Sequence, residues 1–181
     1  MQWKSTTDRY GAVAIAIHWT AALLILALIA SGLRAANADD PAMKISVLRA
    51  HAVMGVAIAV LTLARIGWWW FADRKPVPAE GMPRIQERTA SAVHILFYVV
   101  ILGMAASGIG MLILSGANFV LFGDVPGPLA DFWNYPPRVP HRIGVVLLAL
   151  LLVLHIGGAL YHQFVCRDRL LARMGLGRAR S

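Results

Sequence analysis

The chain alternates between long apolar stretches and short polar ones. Residues 11–33 contain no Asp, Glu, Lys or Arg. A second apolar run covers residues 50–71 and carries one formal charge, Arg65. A third stays uncharged over residues 89–123, and a fourth over residues 143–166. At a rise of ~1.5 Å per residue, each is long enough for a helix to cross a ~30 Å hydrocarbon core. The third exceeds what a crossing needs, so its helix is expected to end near Leu114 or Gly116. Spans are therefore expected at about residues 11–33, 50–71, 89–114 and 141–166 of a single domain covering residues 1–181. Short connections make consecutive spans antiparallel, so the expected fold is all-α, an integral-membrane up-down four-helix bundle. The longest connection, residues 115–140, holds five prolines. It suits either a lid on the membrane surface or a packed connector. No repeat with a period of 20–50 residues is visible.

Composition supports the membrane reading. Hydrophobic residues make up 59% and charged residues 14%, against ~45–50% and ~25% in soluble domains. So few charges cannot cover a soluble surface, and so much apolar surface excludes disorder. The net charge of +8 would suggest nucleic acid in a soluble chain. Here the charges sit at the ends of apolar runs and report topology instead. One side carries Lys4, Arg9, Arg74, Lys75, Arg84, Arg88, Arg167, Arg169, Arg173, Arg178 and Arg180. The other carries only Arg34, Lys44, Arg49, Arg138 and Arg142. The positive-inside rule then places both termini in the cytoplasm, with residues 1–10 as a retained tail and no signal peptide. Trp68, Trp69, Trp70 and Phe71, joined by Trp3, are expected in the inner interfacial belt; Phe132, Trp133 and Tyr135 are expected at the outer surface. Cys166 is the single cysteine, so no intramolecular disulfide forms, and no C-x-x-C-H haem-attachment motif occurs.

All six histidines, His18, His51, His94, His141, His155 and His162, fall within spans or at their edges. Ionisable groups in membrane helices are costly and mark a functional interior. With both termini inside, His51 and His141 open the second and fourth spans at matched outer depth. His18, His94 and His155 lie in the inner half. His141 and His155 are fourteen residues apart, which is ~21 Å and close to four whole turns, so both face one way. Imidazoles on facing helices, one layer above another, meet the demand of bis-histidyl haem b. Zinc wants three or four clustered ligands, and no span contains Asp or Glu. Depth pairs His51 with His141. It leaves His155 open to His18 or to His94. Gly55, Gly144, Gly157 and Gly158 suit either a close-lying macrocycle or plain helix packing. Met104, Ser107 and Met111 read as helix-core packing.

The combination resembles the bacterial cytochrome b561 family of four-helix, di-haem membrane proteins. The matching residues are Arg9-Tyr10 and Ile17-His18-Trp19 in the first span, and Arg49, His51, Gly55 and Arg65 in the second. His94 and Tyr98 follow in the third, then His141, His155 and His162 with the basic tail. The resemblance extends over nearly the whole chain and also takes in the cytochrome b subunits of membrane hydrogenases and formate dehydrogenases. It implies two haem b groups, an inner one on His18 and His155 and an outer one on His51 and His141. His94 would stand beside the inner haem, near a propionate or a quinone. It further implies a bacterial inner-membrane protein that exchanges electrons with ubiquinone, with oxidation of superoxide at the outer face as the leading activity.

Arg49, Arg138 and Arg142 surround the outer histidines and suit propionate pairing, anion steering or interfacial anchoring. Arg65 needs an anion, with an inner-haem propionate or lipid headgroups as the two options. His162 suits a quinone carbonyl or a headgroup. The alternatives are an electron-transfer subunit that docks a dehydrogenase or another redox protein, and a haem-free membrane scaffold or transporter.

Overall fold

A computed structural model describes residues 2–78, 82–123, 125, 127–168 and 170–177. The helices are α1 (Ala12–Ala36), α2 (Pro41–Gly67), α3 (Arg84–Ser115), α4 (Ala117–Phe122), α5 (Arg138–Tyr161) and α6 (Leu170–Arg173). α2 and α5 each run on into a wider π turn, Trp68–Ala72 and His162–Cys166, and a 3-10 turn occupies Phe132–Asn134. No strand occurs among the described residues. Four helices are long and apolar enough to cross a membrane: Ala12–Ala36, Pro41–Ala72, Arg84–Ser115 and Arg138–Cys166.

The helix ends explain where hydropathy stopped short. α2 starts well before residue 50, because the Asp40 carboxylate accepts from the amides of Ala42 and Met43 and Pro41 takes the first turn. Lys44 and Arg49 are thus helical, although their charge reads as loop. α3 starts at Arg84, directly after Pro83. It ends at Ser115, where Gly116 turns left-handed at φ 70°, a conformation that favours glycine. Part of the long connection is a packed connector. Within α4, Ala117 and Leu121 are buried, and the Nε of Arg49 donates to the Leu121 carbonyl, tying α4 to α2.

The bundle is built from two tight hairpins. α1 packs along α2, α3 packs along α5, and α2 and α3 join the pairs. Backbones of α1 and α5 hardly approach one another. The cluster of buried side chains where the four long helices meet is a layer with one residue from each: Ile25, Ile58, Ile101 and Leu148. Outside it, residues such as Leu23, Val60, Val153 and Leu154 are exposed, as a lipid-facing surface requires.

That layer shows a two-fold pattern. Ile25 and Ile101 are 76 residues apart, and Ile58 and Leu148 are 90 apart. The same offsets relate His18 to His94, Ala30-Ser31-Gly32 to Ala106-Ser107-Gly108, His51 to His141, and Arg65 to His155. The α3–α5 hairpin therefore repeats the α1–α2 hairpin with a longer connection. Its period lies well beyond the 20–50 residues of solenoid repeats.

At one end the segments outside the spans knit together. The Asp73 carboxylate accepts from the Ser5 amide, the Ser5 hydroxyl and the Trp68 indole. Arg173 donates to the carbonyls of Thr7, Asp8 and Val77. The Trp19 indole donates to the Met174 carbonyl. The start of the chain, the α2–α3 connection and the α6 region thus share one end.

Candidate functional site: two layers of facing histidines

His51 on α2 and His141 on α5 face each other with ring centres 6.4 Å apart. A metal held by two imidazole nitrogens at ~2.0–2.1 Å each sets ring centres roughly 6–6.5 Å apart. Their tautomers are set by neighbours. The Ser31 hydroxyl gives its proton to the Leu28 carbonyl, so at 2.9 Å it accepts from the His51 Nδ1–H. The Ser107 hydroxyl likewise donates to the Met104 carbonyl. That carbonyl, 3.1 Å from the His141 Nδ1, can only accept, so His141 also carries its proton on Nδ1. Each ring therefore keeps its Nε2 lone pair free, an arrangement that suits a metal-binding histidine with a supporting acceptor.

Glycines seat these rings. A methyl at Gly32 would stand 3.4 Å from the His51 ring, and one at Gly108 would stand 3.6 Å from the His141 ring. Gly55 lies one turn from His51 on the same face, and a methyl there would meet nothing within 4 Å. This is the free space a flat macrocycle needs. Gly144 differs: a methyl there would overlap the Met104 side chain, so this glycine serves the close α3–α5 contact.

In the inner layer His155 meets both candidates. Its ring centre is 5.9 Å from that of His18 and 5.3 Å from that of His94, with Phe97 at 5.5 Å. His18 reaches across the loose α1–α5 seam, whereas His94 belongs to the same tight hairpin as His155. The two rivals for His155 are equivalent positions of the two-fold pattern, which is why depth alone did not separate them. Among the described residues no three His, Cys, Asp or Glu side chains gather around one point. Arg65 lies beside this layer, its terminal nitrogen 3.3 Å from the His18 Nδ1.

The other candidates are spread more widely. Arg49 binds the connection through Leu121, as described. Arg138 and Arg142 lie over the Trp133 ring, at 4.7 and 5.4 Å from its centre. Arg142 is exposed, and with Trp133, Ile143 and Val146 it lines an open groove on the outside of α5. His162 stands in the π turn that ends α5, where its Nδ1 pairs with the Asp168 carboxylate. It is the one contact between a basic side chain and a carboxylate within salt-bridge distance among the described residues. Of the inner aromatic belt, Trp70 and Phe71 are exposed, while Trp68 and Trp69 are turned in.

Ser31, Asp168 and the carbonyl of Met104 are partners that hydropathy and histidine depth did not reveal. Ser107, read as packing, holds His141. The signal for both serines was present: Ala-Ser-Gly occurs twice, thirteen residues after His18 and after His94 at its serine.

Four membrane-spanning helices enclosing facing imidazoles are the architecture of a membrane redox protein. A family model described as prokaryotic cytochrome b561 matches residues 9–177. The chain belongs to this family, whose members are membrane electron-transfer proteins that bind haem b. It is 32% identical over 171 residues to cytochrome b562 of Cereibacter sphaeroides, covering 91% of this chain and 94% of that one. It is 27% identical over 205 residues to cytochrome b561 homolog 2 of Escherichia coli (strain K12), covering 100% and 98%. To the probable superoxide oxidase CybB of Yersinia pestis it is 29% identical over 173 residues, covering 92% and 95%. No solved structure matches the chain. It is a bacterial membrane protein.

Proposed function

We propose that this chain is a di-haem b cytochrome of the inner membrane that oxidises superoxide at its outer face and reduces ubiquinone. The observation that carries this reading is the pair of histidine layers, one at each depth of the bundle. His51 and His141 would hold the outer haem, with both Nε2 atoms already free to bind. His18 and His155 would hold the inner one, across the seam where α1 and α5 hardly approach. His94 would flank the inner haem. When bound, two haems in series supply a one-electron path through the membrane.

The protein's own residues fit the two ends of that path. Arg49, Arg138 and Arg142 make the outer end cationic, which favours approach of an anion such as superoxide. Arg142 sits at the surface and suits steering; Arg138 is half-buried and suits a propionate. At the other end, Asp168 holds the Nδ1 of His162. That leaves Nε2 as the ring atom to meet a quinone oxygen. The relative named a probable superoxide oxidase supports this choice of substrate.

The test is turnover of the purified holoprotein under a steady superoxide flux with a soluble ubiquinone analogue. Quinol formation is expected without any partner protein. Two intact haems with no quinol formed would instead favour the electron-transfer subunit that needs a docked dehydrogenase or redox protein.

A further inference from the structure

We propose that Arg65 and Trp69 form a carboxylate clamp that receives a propionate of the inner haem. This rests on the reading of an inner haem between His18 and His155.

Two buried N–H donors lack any acceptor among the described residues: the Nε of Arg65 on α2 and the Nε1 of Trp69 in the π turn that continues it. They are four residues apart, on one face and one turn from each other. An orphaned buried donor is costly, a charged one more so. Two on one face define a place for an acceptor. The neighbouring acid does not fill it. Asp73 is taken up by Ser5, Trp68 and the Arg74 amide. Thus the Trp68 indole is satisfied and the Trp69 indole beside it is not.

The surroundings favour an anion. Tyr10 packs edge-on against Trp69, ring centres 6.0 Å apart. Arg65 and Lys75 lie within electrostatic reach of one another. Partial desolvation, and then the Arg65 charge, hold the Lys75 ammonium below its ordinary value. An anion between them relieves that repulsion.

The two-fold pattern gives the clamp its address. Arg65 occupies on α2 the position that His155 occupies on α5. It therefore flanks the inner layer at the same depth. Its contact with His18 points the same way. A guanidinium only donates, so in that contact the His18 Nδ1 accepts. A ring that binds metal through Nε2 carries its proton on Nδ1 and cannot accept. Arg65 then needs another acceptor, and a carboxylate matches its fork.

The experiment is redox titration of the holoprotein for the wild type, Trp69→Phe, Arg65→Gln and Arg65→Lys. The inner haem is the one that survives His51→Ala. Loss of a donor leaves the propionate charge less compensated, so the inner haem's midpoint is expected to fall in Trp69→Phe. It should fall further in Arg65→Gln and recover in part in Arg65→Lys, with the outer haem unmoved. Unchanged potentials in Trp69→Phe would overturn the clamp while leaving the haem reading intact. Infrared difference spectra of wild type loaded with propionate-labelled haem decide the matter if a variant fails to fold. A propionate carboxylate band at the frequency of a carboxylate that accepts no protein hydrogen bond, and unmoved when buried N–H groups are exchanged to N–D, argues against the clamp. A wild type without an inner haem removes the ground on which it stands.

Discussion

Single residues divide the labour between the two layers. His51→Ala or His141→Ala is expected to halve the haem content, removing one haem and sparing the other; His155→Ala should remove the other. Haem extracted and quantified per chain measures this. His18→Ala should match His155→Ala, while His94→Ala keeps both haems. The reverse outcome would move the inner ligand to α3. The histidines themselves were legible from residue type and depth, because an imidazole in a span is expensive without a task. Their tautomers were not. Ser31 and Ser107 spend their protons on carbonyls one turn back, a detail of hydroxyl orientation that appears only when helices are placed side by side. Arg142 shows the same limit. Its number places it next to His141, but one step along a helix rotates a side chain by ~100°, and it ends outside, on Trp133.

At the scale of elements, glycines and caps decide how helices meet. Gly144 lets α5 lie against Met104 of α3, whose carbonyl receives the His141 proton. Gly144→Val should destabilise the bundle by about 1–3 kcal/mol and weaken outer-haem retention, read from loss of the haem absorbance on heating. The connection at the shared end depends on Asp73. Burial opposes its charge, but the hydrogen bonds from Ser5, then Arg74 and Trp68, outweigh it and hold the carboxyl below the ordinary value of 3.8. A carboxyl depressed in the folded state stabilises it fully above that ordinary range, and the contribution is lost as pH falls through the folded-state value. Asp73→Asn should therefore expose residues 3–10 to faster amide exchange near neutral pH. Its difference from wild type should shrink in acid, below the ordinary range. Span number and approximate ends were legible from charge-free runs. The early start of α2 was not, since hydropathy counts Lys44 and Arg49 as polar whereas the Asp40 cap makes them helical.

At the scale of the molecule, the knitting of the N-terminal tail to α6 places both ends of the described chain on one side. Reporter fusions at either terminus are expected to report the cytoplasm, as the basic residues on that side require; a periplasmic signal from either would invert the topology. The two hairpins are variations on one pattern. His51 and His141 are equivalent positions that face each other, so the outer layer is symmetric. The inner layer is not, because Arg65 stands where its counterpart is His155. One different residue thus makes the two layers chemically different, a facing histidine pair in one and a facing pair with a cation beside it in the other. The sequence by itself determined the number of spans, their alternation and the relative depth of the histidines, because hydrocarbon thickness and the cost of charge act on composition along a helix. Only the tertiary structure decided which rings face each other, which protons they carry and which buried donors lack an acceptor. Those depend on the rotation and spacing of neighbouring helices, which no single helix contains.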